Sequence, residues 1–194
     1  MERGGAKVTG FNMAEFVSTD ACITEKELWD NYEYFLKAVI PYAEKYGINL
    51  ALHPDDPPTK LGNVSRIMTS YENIDKAING VVPSKNLGVT MCQATYHIMG
   101  EDLYKVIPAL PEKIFFIHFR NTTGTIKNYR ETFHDNGEID MADIMKLYKK
   151  CGVDVPIRVD HVPTMVGEDM VNQGYDAIGS FFAIGYLKGI MQAV

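Results

Sequence analysis

Val153-Asp154-Val155-Pro156-Ile157-Arg158-Val159-Asp160-His161 is the stretch from which the rest of the chain is best read. The apolar lead-in from Val153 to Ile157 predicts a short buried strand that hands over to a loop at Arg158-Val159-Asp160-His161. A carboxylate beside an imidazole at such a point suits metal ligation next to proton transfer. Three earlier runs end in the same way. Ile48-Asn49-Leu50-Ala51-Leu52 leads to His53, Leu87-Gly88-Val89-Thr90-Met91 to Cys92, and Ile114-Phe115-Phe116-Ile117 to His118.

The segments between these runs read as helices. Thr24-x-x-Glu27 is a capping box, in which each side chain satisfies a backbone N–H that a helix start leaves free. The helix it opens carries Leu28, Tyr32, Phe35, Val39 and Tyr42 at spacings of three and four and stops at Gly47. Pro41 removes one hydrogen bond and is expected to kink it. Pro54-Asp55-Asp56-Pro57-Pro58 makes a stiff loop after the first strand. Thr69-x-x-Glu72 predicts a second cap, for a short helix to about Asn79. A weaker helix is expected from Gly100 to Ala109, then a long polar loop from Arg120 to Glu138, of a length that is usually functional or mobile. Asp140 is the predicted cap of a helix to Cys151 ended by Gly152, and a last helix runs from about Tyr175 to Met191. Residues 1–20 read as a loop with a short helix around Met13 to Phe16, and 21–194 as strand-helix repeats, together one partial domain.

Alternating strands and helices mean parallel strands joined by right-handed crossovers. Four such strands with polar residues at their C-terminal ends are what the C-terminal half of a (β/α)8 TIM barrel supplies, because those barrels carry their chemistry on that face. The competing fold, a doubly wound open sheet, normally shows a glycine-rich first turn, and no G-x-G-x-x-G occurs.

Composition narrows the function classes. With 194 residues, 46% of them hydrophobic, the chain can bury one core. A net charge of −6 argues against a nucleic-acid surface. An anionic substrate must then be met by a few specific arginines. No apolar run reaches membrane-spanning length, and Met1 to Gly10 lacks the apolar centre of a signal peptide. Cys22, Cys92 and Cys151 are an odd number at unrelated spacings, which fits a reducing cytoplasm better than a disulfide framework.

His53, Cys92, His118 and Asp160 form a plausible four-ligand set for a divalent transition metal, spaced far more widely than a zinc knuckle. Any one of them alone reads as a satisfied interior group; four at equivalent strand ends favour the metal. His161 adjoins a proposed ligand and can work as an acid or base, the plainer alternative being a hydrogen bond to a loop carbonyl. Arg120, two residues beyond His118, offers a fork of donors for a substrate carboxylate, with a surface ion pair as its plainer reading. Arg66 and Arg158 could serve likewise, and Glu131 and His134 could reach over the site from the long loop. His97 is assigned to structure, and Phe181, Phe182 and Tyr186 to the core.

The sequence resembles the mannonate dehydratase family, metal-dependent enzymes of hexuronate breakdown within the xylose-isomerase-like barrels. The likeness is carried by His53-Pro54-Asp55-Asp56-Pro57-Pro58, Ser65-Arg66-Ile67, Gly88-Val89-Thr90-Met91-Cys92, His118-Phe119-Arg120-Asn121, Glu131-Thr132-Phe133-His134, Gly137-Glu138-Ile139-Asp140-Met141, Arg158-Val159-Asp160-His161 and Gly174-Tyr175. The first and the seventh of these are the specific ones. Resemblance implies that His53, Cys92, His118 and Asp160 bind Mn2+ (or Fe2+), and that His161 and Tyr175 are the acid/base pair. The implied reaction removes water from D-mannonate to give 2-dehydro-3-deoxy-D-gluconate.

Val159 stands where the family motif commonly has proline, and the likeness begins inside the family's chain. Four parallel strands leave an edge on each side and do not close a barrel. The expectation is therefore a fragment, a truncated reading frame, or a subunit completed by a homo-oligomer or by the missing barrel half, with the activity of the single chain open. Two rival readings remain: a metal-dependent sugar isomerase or epimerase on the same scaffold, and a non-catalytic half-barrel.

Overall fold

A computed structural model describes residues 22–168 and 174–194. The expected lead-in loop and short helix before residue 21 lie outside the described residues. The first helix of the described residues, α1 (Glu25–Tyr46), starts with the capping box: Thr24 accepts from the Glu27 amide while the Glu27 carboxylate accepts from the Thr24 amide. It runs without interruption through Pro41 and ends on Gly47, whose φ of 65° is the left-handed turn a glycine takes at least cost. The buried line is Leu36, Ile40 and Ala43, not the expected Phe35 and Tyr42, which are 55% and 64% exposed. Each lies one residue before a buried one, and a helix turns about 100° per residue, so both are carried off the core face.

Strand β1 (Leu50–Leu52) follows, then α2 (Tyr71–Asp75), which runs on into a π-helical segment, Lys76–Val81. The predicted Thr69/Glu72 cap does not form. Ser70 is the N-cap, accepting from Asn73, and the Tyr71 amide donates to Glu101. Strand β2 (Leu87–Cys92) passes directly into α3 (Gln93–Met99), a helix the sequence reading lacked. Gly100 ends α3 at φ 88° instead of starting the next helix, α4 (Leu103–Ala109), which is capped by Asp102. Strand β3 (Ile114–His118) comes next. The long polar loop holds a small antiparallel ribbon of β4 (Thr122–Thr123) and β5 (Arg130–Glu131). Helix α5 (Met141–Lys150) is capped by Asp140, β6 is only Ile157–Arg158, and α6 (Ala177–Ala193) closes the chain.

The four long-range strands form one parallel sheet in the order β1-β2-β3-β6. This is an α/β half-barrel arrangement, unclosed among the described residues. The outward side of β2 and β3 (Val89, Met91, Ile114, Ile117) packs into one core with Leu36, Ile40, Ile78, Ile107 and Ile144 from the helices. Phe181, expected in that core, is 74% exposed, while Ala183, Leu187 and Ile190 form the buried line of α6.

Registration between β2 and β3 is irregular. Val89 pairs with Ile114 but Thr90 pairs with Phe116, leaving Phe115 as a bulge residue. Ile114 and Ile117 are consequently both buried, a three-residue spacing that unbroken alternation does not give. Beyond the bulge Cys92 lies opposite His118, and His118 opposite Arg158. In a parallel sheet residues opposite one another point to the same face, so these three form a row along one end of the sheet. Gly88 makes the bulge possible: a Cβ there would stand 2.2 Å from the Lys113 carbonyl and 2.6 Å from the Phe115 ring.

Candidate metal centre and cleft

The row of strand ends brings ligand types together. A nitrogen of His53, a nitrogen of His118 and the sulfur of Cys92 all lie within 4.8 Å of one another, a spacing that small side-chain rotations adapt to a common ion. His53 Nδ1 donates to the Pro54 carbonyl at 2.6 Å, which turns Nε2 towards His118 Nδ1, 3.0 Å away. Fixing the outer ring nitrogen on a carbonyl is how metal-binding imidazoles are commonly oriented. Cys92 is fully buried and accepts from Thr95 Oγ1 at 3.0 Å. Burial alone would raise its thiol pKa, but the Arg120 guanidinium and hydrogen bonds from His118 and His53 outweigh that and bring it down to about 5. The thiolate in turn raises the pKa of His53 against the opposing effect of burial. A thiolate and two oriented imidazoles, with a carboxylate alongside, are a donor set that fits a divalent transition ion.

Asp160 is the fourth predicted ligand, and it adjoins the trio from the His118 side, Oδ2 to Nδ1 3.4 Å. It is the only non-glycine residue with positive φ (59°) among the described residues. Aspartate tolerates that conformation better than most side chains. The Val159 carbonyl just before it is held by His134 Nε2 at 2.8 Å. His134 is thus buried beneath the site, its pKa lowered by that burial, and does not reach over the cleft as the loop position suggested.

Arg120 also differs from expectation. It is fully buried, and the carboxylates it meets belong to the protein. Nη2 contacts Asp56 and donates to Thr95 at 2.9 Å, Nη1 contacts Glu131 and lies 2.7 Å from His161 Nδ1, and Nε lies 3.2 Å from Asp160. Asp56, Glu131 and His161 form a second cluster of possible ligands. The guanidinium already supplies the positive charge there, so the cluster reads as an arginine cage and not as a second metal centre. Arg66 is committed elsewhere: it pairs with Asp55 at 2.7 Å, and Asp55 also accepts from the amides of Ile67 and Met68. The two adjacent aspartates therefore hold different things, Asp55 the 66–68 segment and Asp56 the arginine.

A cleft of about 420 Å³ opens over the strand ends, lined by His53, Asp56, Tyr129, Glu131, Asp160 and Tyr175 among others. His118, Arg158 and His161 open on it as well. His161 and Tyr175 meet edge to face, ring centres 5.1 Å apart. Burial lowers the His161 pKa, but hydrogen bonding to Glu131 and the charge of Asp160 turn the net shift upward. Burial and Asp160 raise that of Tyr175, with Arg158 opposing. Tyr129, Thr95 and the separate role of Asp56 were not foreseen. Asp56 could have been found from its place in the His53–Pro58 string, whereas Tyr129 carries no local signal. His97 bridges α3 to Glu138 at 3.0 Å, a structural contact.

Comparisons with known proteins place the chain in a family. The family model for D-mannonate dehydratase (UxuA) matches residues 10–194. The mannonate dehydratase of Streptococcus pneumoniae (strain 70585) is 33% identical over 179 residues, 88% of this chain and 48% of that protein. The crystal structure of mannonate dehydratase from Streptococcus suis serotype 2 superposes with a TM-score of 0.81 at 32% identity, covering 88% of this chain and 50% of that one. A D-tagatose 3-epimerase-like protein shares the fold, with a TM-score of 0.57 at 17% identity over 90% of this chain and 60% of that one. The chain spans about half the length of the curated relatives it matches. Half-length or not, the match runs through every strand end described above, and the chain belongs to the D-mannonate dehydratase (UxuA) family.

Proposed function

We propose that this chain carries the metal-binding and proton-transfer machinery of a hydro-lyase that removes water from D-mannonate, giving 2-dehydro-3-deoxy-D-gluconate. The observation that supports it most is the meeting of His53, Cys92 and His118, with Asp160 alongside, next to the touching rings of His161 and Tyr175. His53, Cys92, His118 and Asp160 would hold Mn2+ (or Fe2+). Such an ion supplies Lewis acidity for charge that builds on the substrate carboxylate as the weakly acidic neighbouring proton leaves.

The chain's own groups divide the remaining work. Nδ1 of His161 is taken up by Arg120 and Glu131, so exchange with substrate falls to Nε2. Tyr175, with its pKa raised, keeps its phenolic proton at neutral pH and can give it to the departing hydroxide, which leaves removal of the carbon-bound proton to Nε2 of His161. Glu131 opens on the cleft as a substrate contact and steadies His161, while Arg66, Arg120 and His134 act from behind. A second copy or a separate barrel half would complete the ring of strands.

The test is to load the purified chain with Mn2+, supply D-mannonate and assay the keto-deoxy acid. Product that disappears in His161→Asn with metal content unchanged is the expected result. Full metal occupancy without product would favour a non-catalytic half-barrel, and aldose-ketose interconversion an isomerase.

A further inference from the structure

Three arginines could in principle meet an acidic substrate, and the structure leaves one of them available. Arg66 is paired with Asp55. Arg120 is enclosed by Asp56, Glu131 and Asp160. Arg158 has no carboxylate partner among the described residues and is the only lysine or arginine among them that lines the cleft. Its Cα stands opposite His118, in the same row as Cys92. The guanidinium lies over the Tyr175 ring, 5.1 Å from its centre, which braces the side chain by cation–π attraction and leaves its N–H donors unpaired among the described residues.

The other charged groups facing this cleft, Asp56, Glu131 and Asp160, are acidic. Among the side chains that line the cleft, an anion therefore meets one arginine or lysine, beside whatever ion the ligand trio holds. We infer that Arg158 is the carboxylate subsite of the cleft, binding the acid end of an aldonate through a two-pronged contact and so selecting sugar acids over neutral sugars. This rests on the dehydratase reading for its substrate class. A carboxylate held there puts the adjoining carbon on the side of the cleft where Tyr175 and His161 meet, the orientation that proton removal next to a carboxylate requires.

Binding and turnover are measured separately to test this. Calorimetry on the Mn2+-loaded chain follows D-mannonate, D-gluconate and D-mannose, for the parent, Arg158→Met and Arg158→Lys. Methionine keeps the stem over Tyr175 and removes the fork; lysine restores the charge alone. The expected result is an aldonate affinity lower by on the order of 10- to 100-fold in Arg158→Met. Partial recovery is expected in Arg158→Lys, with Mn2+ affinity and any D-mannose binding unchanged. Equal aldonate affinity in parent and Arg158→Met, with product still formed, overturns the subsite and leaves the reaction standing. Arg158-dependent aldonate binding without product supports the subsite and removes the reaction. A parent chain that binds no aldonate overturns the subsite outright.

Discussion

Replacing Arg120 by methionine removes the one buried cation that Asp56, Glu131 and Asp160 share, while keeping most of its volume. The three carboxylates are not left in equal difficulty. The Asp56 and Glu131 side chains are 22% and 32% exposed and can turn towards water, whereas Asp160 is 4% exposed and cannot. An uncompensated buried charge of that kind costs about 3–5 kcal/mol. Against a typical total of about 5–15 kcal/mol, that is a large share of the stability of the metal-free chain. Urea unfolding in the presence of a chelator should therefore show Arg120→Met less stable by that amount. Saturating Mn2+ should narrow the gap, because the ion places beside Asp160 and Cys92 a positive charge that the variant lacks more than the parent does. A metal-free Arg120→Met protein within about 1 kcal/mol of the parent, the scale of an exposed ion pair, would refute the view that the guanidinium neutralises the site.

Three further outcomes are expected. Cys92→Ser should retain the fold but lose Mn2+ on dialysis, and unchanged metal content by elemental analysis would remove the thiolate from the ligand set. In the metal-free chain the Cys92 thiolate, followed by its ultraviolet absorbance, should persist as pH is lowered until about 5 instead of disappearing near the ordinary thiol value of 9. Because the folded-state pKa is the lower one, its contribution to stability is complete above pH 9 and is lost as pH falls through about 5. Gly88→Ala must push a methyl group against the Lys113 carbonyl and the Phe115 ring, so thermal melting should show a loss of about 1–3 kcal/mol, and an unchanged melt would mean the close approach is not real.

The sequence was informative where chemistry and periodicity coincide. Each apolar run ended in a polar residue, and those ends stand side by side in one sheet. It was silent where a boundary has no marker. Nothing turn-like separates Cys92 from Gln93, so the helix that begins directly at the strand end left no trace in the pattern. Helix α6 has a single charged residue in Ala177–Ala193 and apolar groups on all sides, so spacing alone could not tell that Phe181 faces out and Ala183 in. Arg120 was placed on the correct side of the sheet but given the wrong partner. Three carboxylates from three different loops surround it, and no local pattern announces a contact between residues 56 and 120. The irregular step at Phe115 was likewise hidden, since it depends on the strand next door.

That step has a practical corollary. Ile114 and Phe116 both find partners on β2 without Phe115, so shortening β3 by this one residue keeps Cys92 opposite His118. Adding a residue between Phe116 and His118 does the opposite and turns the imidazole towards the helices. The strand therefore has slack at Phe115 and none between Phe116 and His118. Insertions and deletions that preserve metal binding should collect at that bulge, towards Lys113, and be absent between it and the ligand row.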